Sequence, residues 1–324
     1  AGLQGTGQCH GGPMEHVGEI ITGPFRDILI GADPFEYERL WSEMFAHNHK
    51  PGWSLNGWQR ETIMTAIAGV DIALWDLMGK ETGRSVCKLL GAARTEAEAY
   101  ATGGYYEEGK DIDGLVDEVG VYVNDNGYSA VKLKVGRESV AIDVERIRTV
   151  REMLGPEVEL RLDANRAWTL EQAQDFVGQI QATEIAYCEE PLQRPEDMPK
   201  LHESTGLPLA LDESLWTNPE PSTLPLQGVQ AVILKPGVLG GWRATSRWVR
   251  WARKQRLRVV FSSCFESGLG LAWIARMATA LSRTPTPCGL DTGKWLAQDL
   301  VDPSPKVAGG FLYFPETSRL CEES

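Results

Sequence analysis

Three carboxylates and three lysines are the side chains of this sequence best suited to chemistry. The acids are Asp163 in RLDAN, Glu189 in YCEEP and Asp212 in ALDES; the lysines are Lys132 and Lys134 in AVKLKVG and Lys235 in VILKPG. Each closes a short apolar run of strand-like composition. Strand residues at i and i+2 share a face, so Lys132 and Lys134 point the same way, as do Asp163 and Asn165. Three carboxylates meeting at one point repel unless a cation lies among them. An all-oxygen donor set without histidine or cysteine suits a hard ion, Mg2+ first, with Mn2+ as a substitute. A lysine near such an ion and beside a second cation has its pKa pushed down, so its neutral amine can take a proton near pH 7. The chemistry expected is removal of a proton α to a carboxylate. Lys134 is the base, Lys132 its cationic neighbour, and Lys235 faces them from the far side while the ion offsets the charge that develops. Asn165, Glu213 and Arg161 are placed to orient these groups from behind. One acid at a strand end is equally well explained as a helix cap; three in register are not.

Holding such a set together requires elements whose ends converge. Eight strand-like runs occur: EAYATGG, SAVKLKVG, VELRLDAN, IAYCEEP, LPLALDES, VQAVILKPG, LRVVFSSC and PCGLDTG, with helical segments between most of them. That beat predicts parallel βα units, either an open doubly wound sheet or a closed barrel. The polar residues favour the barrel, because the second to seventh runs end in Lys132 and Lys134, Asp163 and Asn165, Glu189 and Glu190, Asp212 and Glu213, Lys235, and Ser262 and Ser263. Side chains at the C-terminal ends of barrel strands share one mouth, where active sites are built. Before residue 97 the texture differs. There ETIMTAIAGVDIALWDLMGK carries Ile63, Ala66, Ile67, Val70, Ala73, Leu74 and Leu77 at helical spacing, which predicts a long amphipathic helix stopping at Gly79.

Bulk properties narrow the partners. A net charge of −13 on 324 residues repels phosphates and anionic lipid, and no apolar run approaches the about 20 residues of a membrane span. The partners expected are a small-molecule carboxylate and other copies of the chain, with no nucleic acid and no membrane. Six cysteines without a CxxC pair, and an N-terminus without a signal pattern, point to a reducing compartment: the cytoplasm, or a plastid stroma. His47 and His49 in AHNHKPGW read as exposed loop polarity and not as a metal pair. GWRATSRWVRWARKQRLR reads as an outer helix with Trp248, Trp251 and Ala252 inward, and GVLGG after Lys235 as a tight strand-to-helix turn.

The ordered set KxK (Lys132, Lys134), DAN (Asp163, Asn165), EEP (Glu189 to Pro191), DES (Asp212 to Ser214) and Lys235 resembles the enolase superfamily, in its muconate-lactonizing branch with a lysine on each face. The likeness runs from about residue 57 through most of the chain, and the superfamily's known use of a Lys or His base with Mg2+ agrees with it. It implies an α/β fold, a modified TIM barrel (β/α)7β with an α+β capping domain. The divisions it suggests are a capping domain at 1–96 lacking its first strand, the barrel at 97–295, and a C-terminal segment at 296–324 returning to the cap. It also implies that Glu189, the first Glu of EEP, is a metal ligand.

FSSCFESGLGLAWIARMA, TPCGLDTGKWLAQDLV and RLDANRAWT are similar to the o-succinylbenzoate synthase family of menaquinone and phylloquinone biosynthesis. That resemblance implies that Ser262, with Ser263 beside it, and the backbone of Gly289 hold a distal succinyl carboxylate without adding charge near the metal. The reaction implied is dehydration of 2-succinyl-6-hydroxy-2,4-cyclohexadiene-1-carboxylate, Lys134 taking the α proton through an enediolate and Lys235 lying over the ring as a cation. The front half differs. EHVGEIITGPFRDILIGADPFEYERLW, TAIAGVDIALWDLMGKETGRSVCKLLGA and YATGGYY resemble the mandelate racemase and acid-sugar dehydratase branch, which uses a late His/Asp dyad. The five histidines stand at 10, 16, 47, 49 and 202, none at a late strand end. An N-acylamino acid racemase or epimerase, another muconate-lactonizing-type enzyme and an acid-sugar dehydratase are the alternative activities.

Overall fold

The computed structural model describes residues 2–49, 58–92, 94–180, 185–217 and 221–321. After a short strand β1 (Glu96–Glu98) come seven parallel strands: β2 (Ala101–Gly103), β3 (Ala130–Lys134), β4 (Glu159–Asp163), β5 (Tyr187–Glu189), β6 (Leu209–Leu211), β7 (Val229–Leu234) and β8 (Arg258–Phe261). They neighbour one another in chain order. The eighth position is a two-residue stretch that closes the ring, with Gly289 bridging Ser262 and Cys288 bridging Ala99, both in parallel sense. The expected (β/α)7β barrel is the observed fold.

Period-two alternation decides what faces inward. Val131, Leu133, Leu160, Leu162, Leu209, Leu211, Val232 and Leu234 pack in the cluster between sheet and surrounding helices. The opposite parity fills the barrel with Tyr100, Ala130, Tyr187, Ala210, Ala231, Ile233 and Val260. Continuing that inward parity toward the strand ends reaches Lys132 and Lys134, Asp163, Glu189, Asp212, Lys235 and Ser262. The alternation that buries the apolar layer thus delivers the charged side chains to one mouth.

Helices Met14–Ile20, Arg26–Leu29, Tyr37–Phe45, Arg60–Thr82 and Val86–Leu90 precede the barrel, and among the described residues before β1 no strand is present. Two expectations about the long helix need correction. It runs through Gly79 and stops at Gly83, whose φ of 63° is the left-handed cap. It is also not amphipathic: Thr62 through Ile72 are buried without interruption, because cap helices cover one side and the helices following β7 cover the other. At 23 residues it is long and apolar enough to cross a membrane, contrary to the sequence reading, and its apolar surface is spent on protein contacts. His47, expected to be exposed, is 6% accessible, with its ring 6.0 Å from that of Phe25. The side chain of His49 and residues 50–53 lie outside the described residues.

Asp71 on this helix locks cap to barrel. It is fully buried and accepts the Tyr37 hydroxyl at 2.5 Å and the Trp242 backbone N–H at 2.8 Å. Gly241, at φ 77°, lies so close that a Cβ there would collide with the Asp71 carboxyl. On the helix Gly241–Lys254, Trp248 and Ala252 are buried, Trp251 is partly buried, and Arg247 and Arg250 face outward. The C-terminal segment adds β9 (Val301–Asp302), β10 (Lys306–Ala308), β11 (Phe311–Tyr313) and β12 (Arg319–Leu320). β11 pairs antiparallel with both β1 and β10, forming a small sheet at the foot of the first barrel strand.

Candidate active site

Lys132, Asp163, Glu189 and Asp212 are each at most 4% accessible. Register explains the cluster: Lys134 pairs with Asp163 across β3 and β4, and Asp163 with Glu189 across β4 and β5. Lys132 Nζ donates to Asp163 Oδ2 at 3.0 Å and to both oxygens of Glu189 at 3.0 and 3.2 Å. Lys134 Nζ donates to the same Asp163 oxygen at 2.7 Å and to Asn165 Oδ1 at 2.6 Å. Asn165 in turn donates through Nδ2 to Glu213 Oε1 at 2.9 Å, so one chain of bonds links Lys134 to the residue after Asp212. Across the mouth Lys235 is paired with Asp212, its ammonium 4.8 Å from the centre of the Trp216 ring.

The electrostatics follow from these pairings. Burial opposes the charge on Lys132, but Asp163 and Glu189 overcome it and hold its pKa well above the usual lysine value. Lys132 is therefore an ammonium engaged by two carboxylates, and not the unattached cation beside Lys134 that the spacing suggested. Lys235 is likewise raised, burial being outweighed by Asp212. Burial also works against ionisation of Asp163, yet Lys132 and Lys134 hold its carboxyl below the usual range. Asp212 goes the other way: burial pushes it up against the pull of Lys235, with Glu189 and Glu213 adding to the rise.

Several expected residues do other work. Arg161 lies lower in the barrel, where Nε donates to Glu159 at 2.6 Å, Nη1 donates to the Pro287 carbonyl at 2.9 Å, and the guanidinium stacks 4.7 Å from the Tyr100 ring centre. Its Nε and Nη1 are engaged by Glu159 and the Pro287 carbonyl, away from the three carboxylates. The backbone N–H of Gly289 donates to Phe261 O at 2.8 Å, so barrel closure consumes the amide that was expected to hold a substrate carboxylate. Gly289 instead permits close approach, since a Cβ there would collide with Ser262 Oγ and come within 2.5 Å of Tyr100 Oη. Ser262 Oγ lies 3.4 Å from Tyr100 Oη at the mouth, and Ser263 Oγ is taken up by Thr292 Oγ1 at 2.7 Å.

Sequence reasoning set Glu190 at the rim without a role of its own, and passed over Tyr100, Trp216 and Glu266. Glu190 is fully buried at φ 39° and accepts from Asp212 N at 2.9 Å, Ser214 N at 2.7 Å, Ser214 Oγ at 3.0 Å and Arg166 Nε at 3.1 Å. The doubled acid of EEP thus splits into one residue facing the mouth and one staking the strand ends together. Tyr100 was legible from parity alone, standing two residues before Thr102 on the inward face of β2.

Residues 114–318 match the family of enolase C-terminal domain-like proteins, and residues 1–91 match the mandelate racemase / muconate lactonizing enzyme N-terminal domain. The chain belongs to the enolase superfamily. Among its superfamily relatives, arabinonate dehydratase of Saccharolobus solfataricus is 34% identical over 208 residues, 64% of this chain and 54% of that protein. An o-succinylbenzoate synthase of Thermobifida fusca is 33% identical over 189 residues, 57% of this chain and 59% of that protein. The chain therefore spans between half and three fifths of the length of these two relatives. The muconate lactonizing enzyme of Pseudomonas putida superposes with a TM-score of 0.79 at 21% identity, covering 97% of this chain and 85% of that one.

Enolase-superfamily members generally use Mg2+, and the donor set here fits a hard divalent cation. Asp163, Glu189 and Asp212 supply oxygen only, and Asp212 Oδ1 is buried without a hydrogen-bond partner among the described residues. Among the described residues no three Asp, Glu, His or Cys side chains are grouped to ligate one ion as they stand. Lysine ammoniums occupy the space, Lys132 between Asp163 and Glu189 and Lys235 against Asp212. Positive charge is what these carboxylates require, and the lysines provide it here.

Proposed function

We propose that this enolase-superfamily chain is a dehydratase of the o-succinylbenzoate synthase type, converting 2-succinyl-6-hydroxy-2,4-cyclohexadiene-1-carboxylate to o-succinylbenzoate. The observation that carries the reading is a lysine on each side of the mouth, Lys134 on β3 and Lys235 after β7, each ion-paired to one acid of the cluster. A late histidine, which the acid-sugar branch uses, has no counterpart here: His202 sits on the helix Met198–Thr205 with Nδ1 against Leu207 O at 2.8 Å. The likeness to o-succinylbenzoate synthases supports the same substrate class.

A divalent cation held by Asp163, Glu189 and Asp212 would supply positive charge beside the substrate carboxylate as negative charge builds on it. Lys134 takes the α proton, its Nζ aimed by Asn165 and Asp163. The C–H electron pair is first taken up by the carboxylate and then returns to form the new C=C bond as the C–O bond breaks, and the proton on Lys134 leaves with hydroxide as water. Lys235 stays a cation over the forming ring and transfers no proton. Lys132, held charged by two carboxylates, contributes field and not proton transfer.

Formation of the aromatic product, followed by ultraviolet absorbance with and without a chelator, tests the reading. Turnover should need the metal and vanish in Lys134→Ala. Retained turnover in that variant would refute its role as base, and exchange of solvent deuterium into both enantiomers of an N-acylamino acid without water loss would replace the lyase by a racemase.

A further inference from the structure

Glu266 lies outside everything assigned so far. It follows β8 in the segment Ser262 to Ser267 and is 4% accessible. Its Oε2 accepts the Cys264 backbone N–H at 2.5 Å, while Oε1 is buried with no hydrogen-bond partner among the described residues. That oxygen faces the turn after β7, where a Cβ on Gly237, two residues past Lys235, would stand 2.7 Å from it. Burial pushes its carboxyl above the usual range, against the pull of the Glu266 and Cys264 backbone N–H groups and of Lys235, the charged side chain whose field acts on it. A buried, half-satisfied carboxylate is costly unless a donor or cation reaches it in some state of the protein.

Lys235 supplies the complementary problem. Its ammonium is paired with Asp212, one of the three acids proposed to hold the divalent cation. An ion bound there competes with Lys235 for Asp212, and a buried ammonium cannot be left without a counter-charge. The geometry points to Glu266 as a positioning residue that receives Lys235 when the divalent cation takes Asp212. Lys235 then exchanges one carboxylate for another on neighbouring strand ends and keeps its charge over the mouth. This rests on the metal-site reading given above.

Binding of Mn2+ alone to the full chain, read by electron paramagnetic resonance or calorimetry, separates the possibilities in a double-mutant cycle. Glu266→Gln should weaken Mn2+ binding about tenfold, because Lys235 then has no alternative to Asp212. Lys235→Met should bind Mn2+ more tightly than wild type, and adding Glu266→Gln to it should change the affinity by less than about twofold. Equal weakening in both backgrounds, as a distant charge or a disturbed fold would give, overturns the inference, as does no weakening in Glu266→Gln. Glu266→Asp, which keeps the charge, should stay within about threefold of wild type, and a tenfold loss there would count against a charge-based role. Failure of wild type to bind Mn2+ at all would instead sink the metal-site reading itself, and this inference with it.

Discussion

Replacing Lys132 by Met removes an ammonium but keeps an unbranched apolar stem in the barrel. Lys132 donates to three carboxylate oxygens at 3.0 to 3.2 Å, and the three side chains are 5%, 1% and 0% exposed. Taking one partner from a buried ion pair costs about 3–5 kcal/mol, because the remaining charge stays buried without compensation. Asp163 keeps Lys134 at 2.7 Å, so the main loss falls on Glu189, which places the expected destabilisation at about 3 kcal/mol. Urea denaturation in EDTA should show that loss. In excess Mg2+ it should shrink below about 1 kcal/mol, as an ion that binds only the folded state takes over the charge compensation. A loss below about 1 kcal/mol in EDTA, or an equal loss in both conditions, would refute the view that Lys132 holds the acids where a cation belongs.

Burial raises the Asp71 carboxyl to about 7 although Tyr37 and Trp242 donate to it, and its value in the unfolded chain is near 3.8. A raised folded pKa means stability that is complete below the unfolded value, falls by at most about 1.4 kcal/mol per pH unit, and is gone once pH passes the folded value. Asp71→Asn should therefore flatten the decline of stability between pH 4.5 and 7.5 in urea titrations, and parallel profiles would contradict this. Gly289→Ala, forced against Ser262 and Tyr100, should cost about 1–3 kcal/mol in thermal melting, and adding Ser262→Ala should recover part of it. Arg146 donates to the carbonyls of Lys134 at 3.2 Å and Gly104 at 2.5 Å, so Arg146→Met should lower kcat more than it raises KM.

The barrel was legible because its strands announce themselves twice, by β-branched or Leu-rich runs and by polar residues at their ends; SAVKLKVG and VELRLDAN show both. Parity and strand order also made legible that Lys132, Lys134, Asp163 and Glu189 come together. What each one touches was not. Register and rotamer decide that two lysines share one oxygen of Asp163, and no spacing rule contains this. Gly289 was assigned a substrate carboxylate by resemblance alone, whereas its amide serves the ladder. The long helix misled at Gly79 because tertiary contacts on both sides outweigh the cost of a glycine inside a helix.

The four hydrogen bonds converging on Glu190 divide the rim into two arcs. Residues from Arg166 to Ser214 are pinned to one another from beneath, so the ends of β4, β5 and β6 move as a unit and the three acids keep their mutual placement. The side chains after β3, β7 and β8 stand outside that knot. Inheritance can therefore alter the lysines, the serines and the covering helices one at a time, and descendants with different substrates can arise while the charge-holding half of the rim stays as it was.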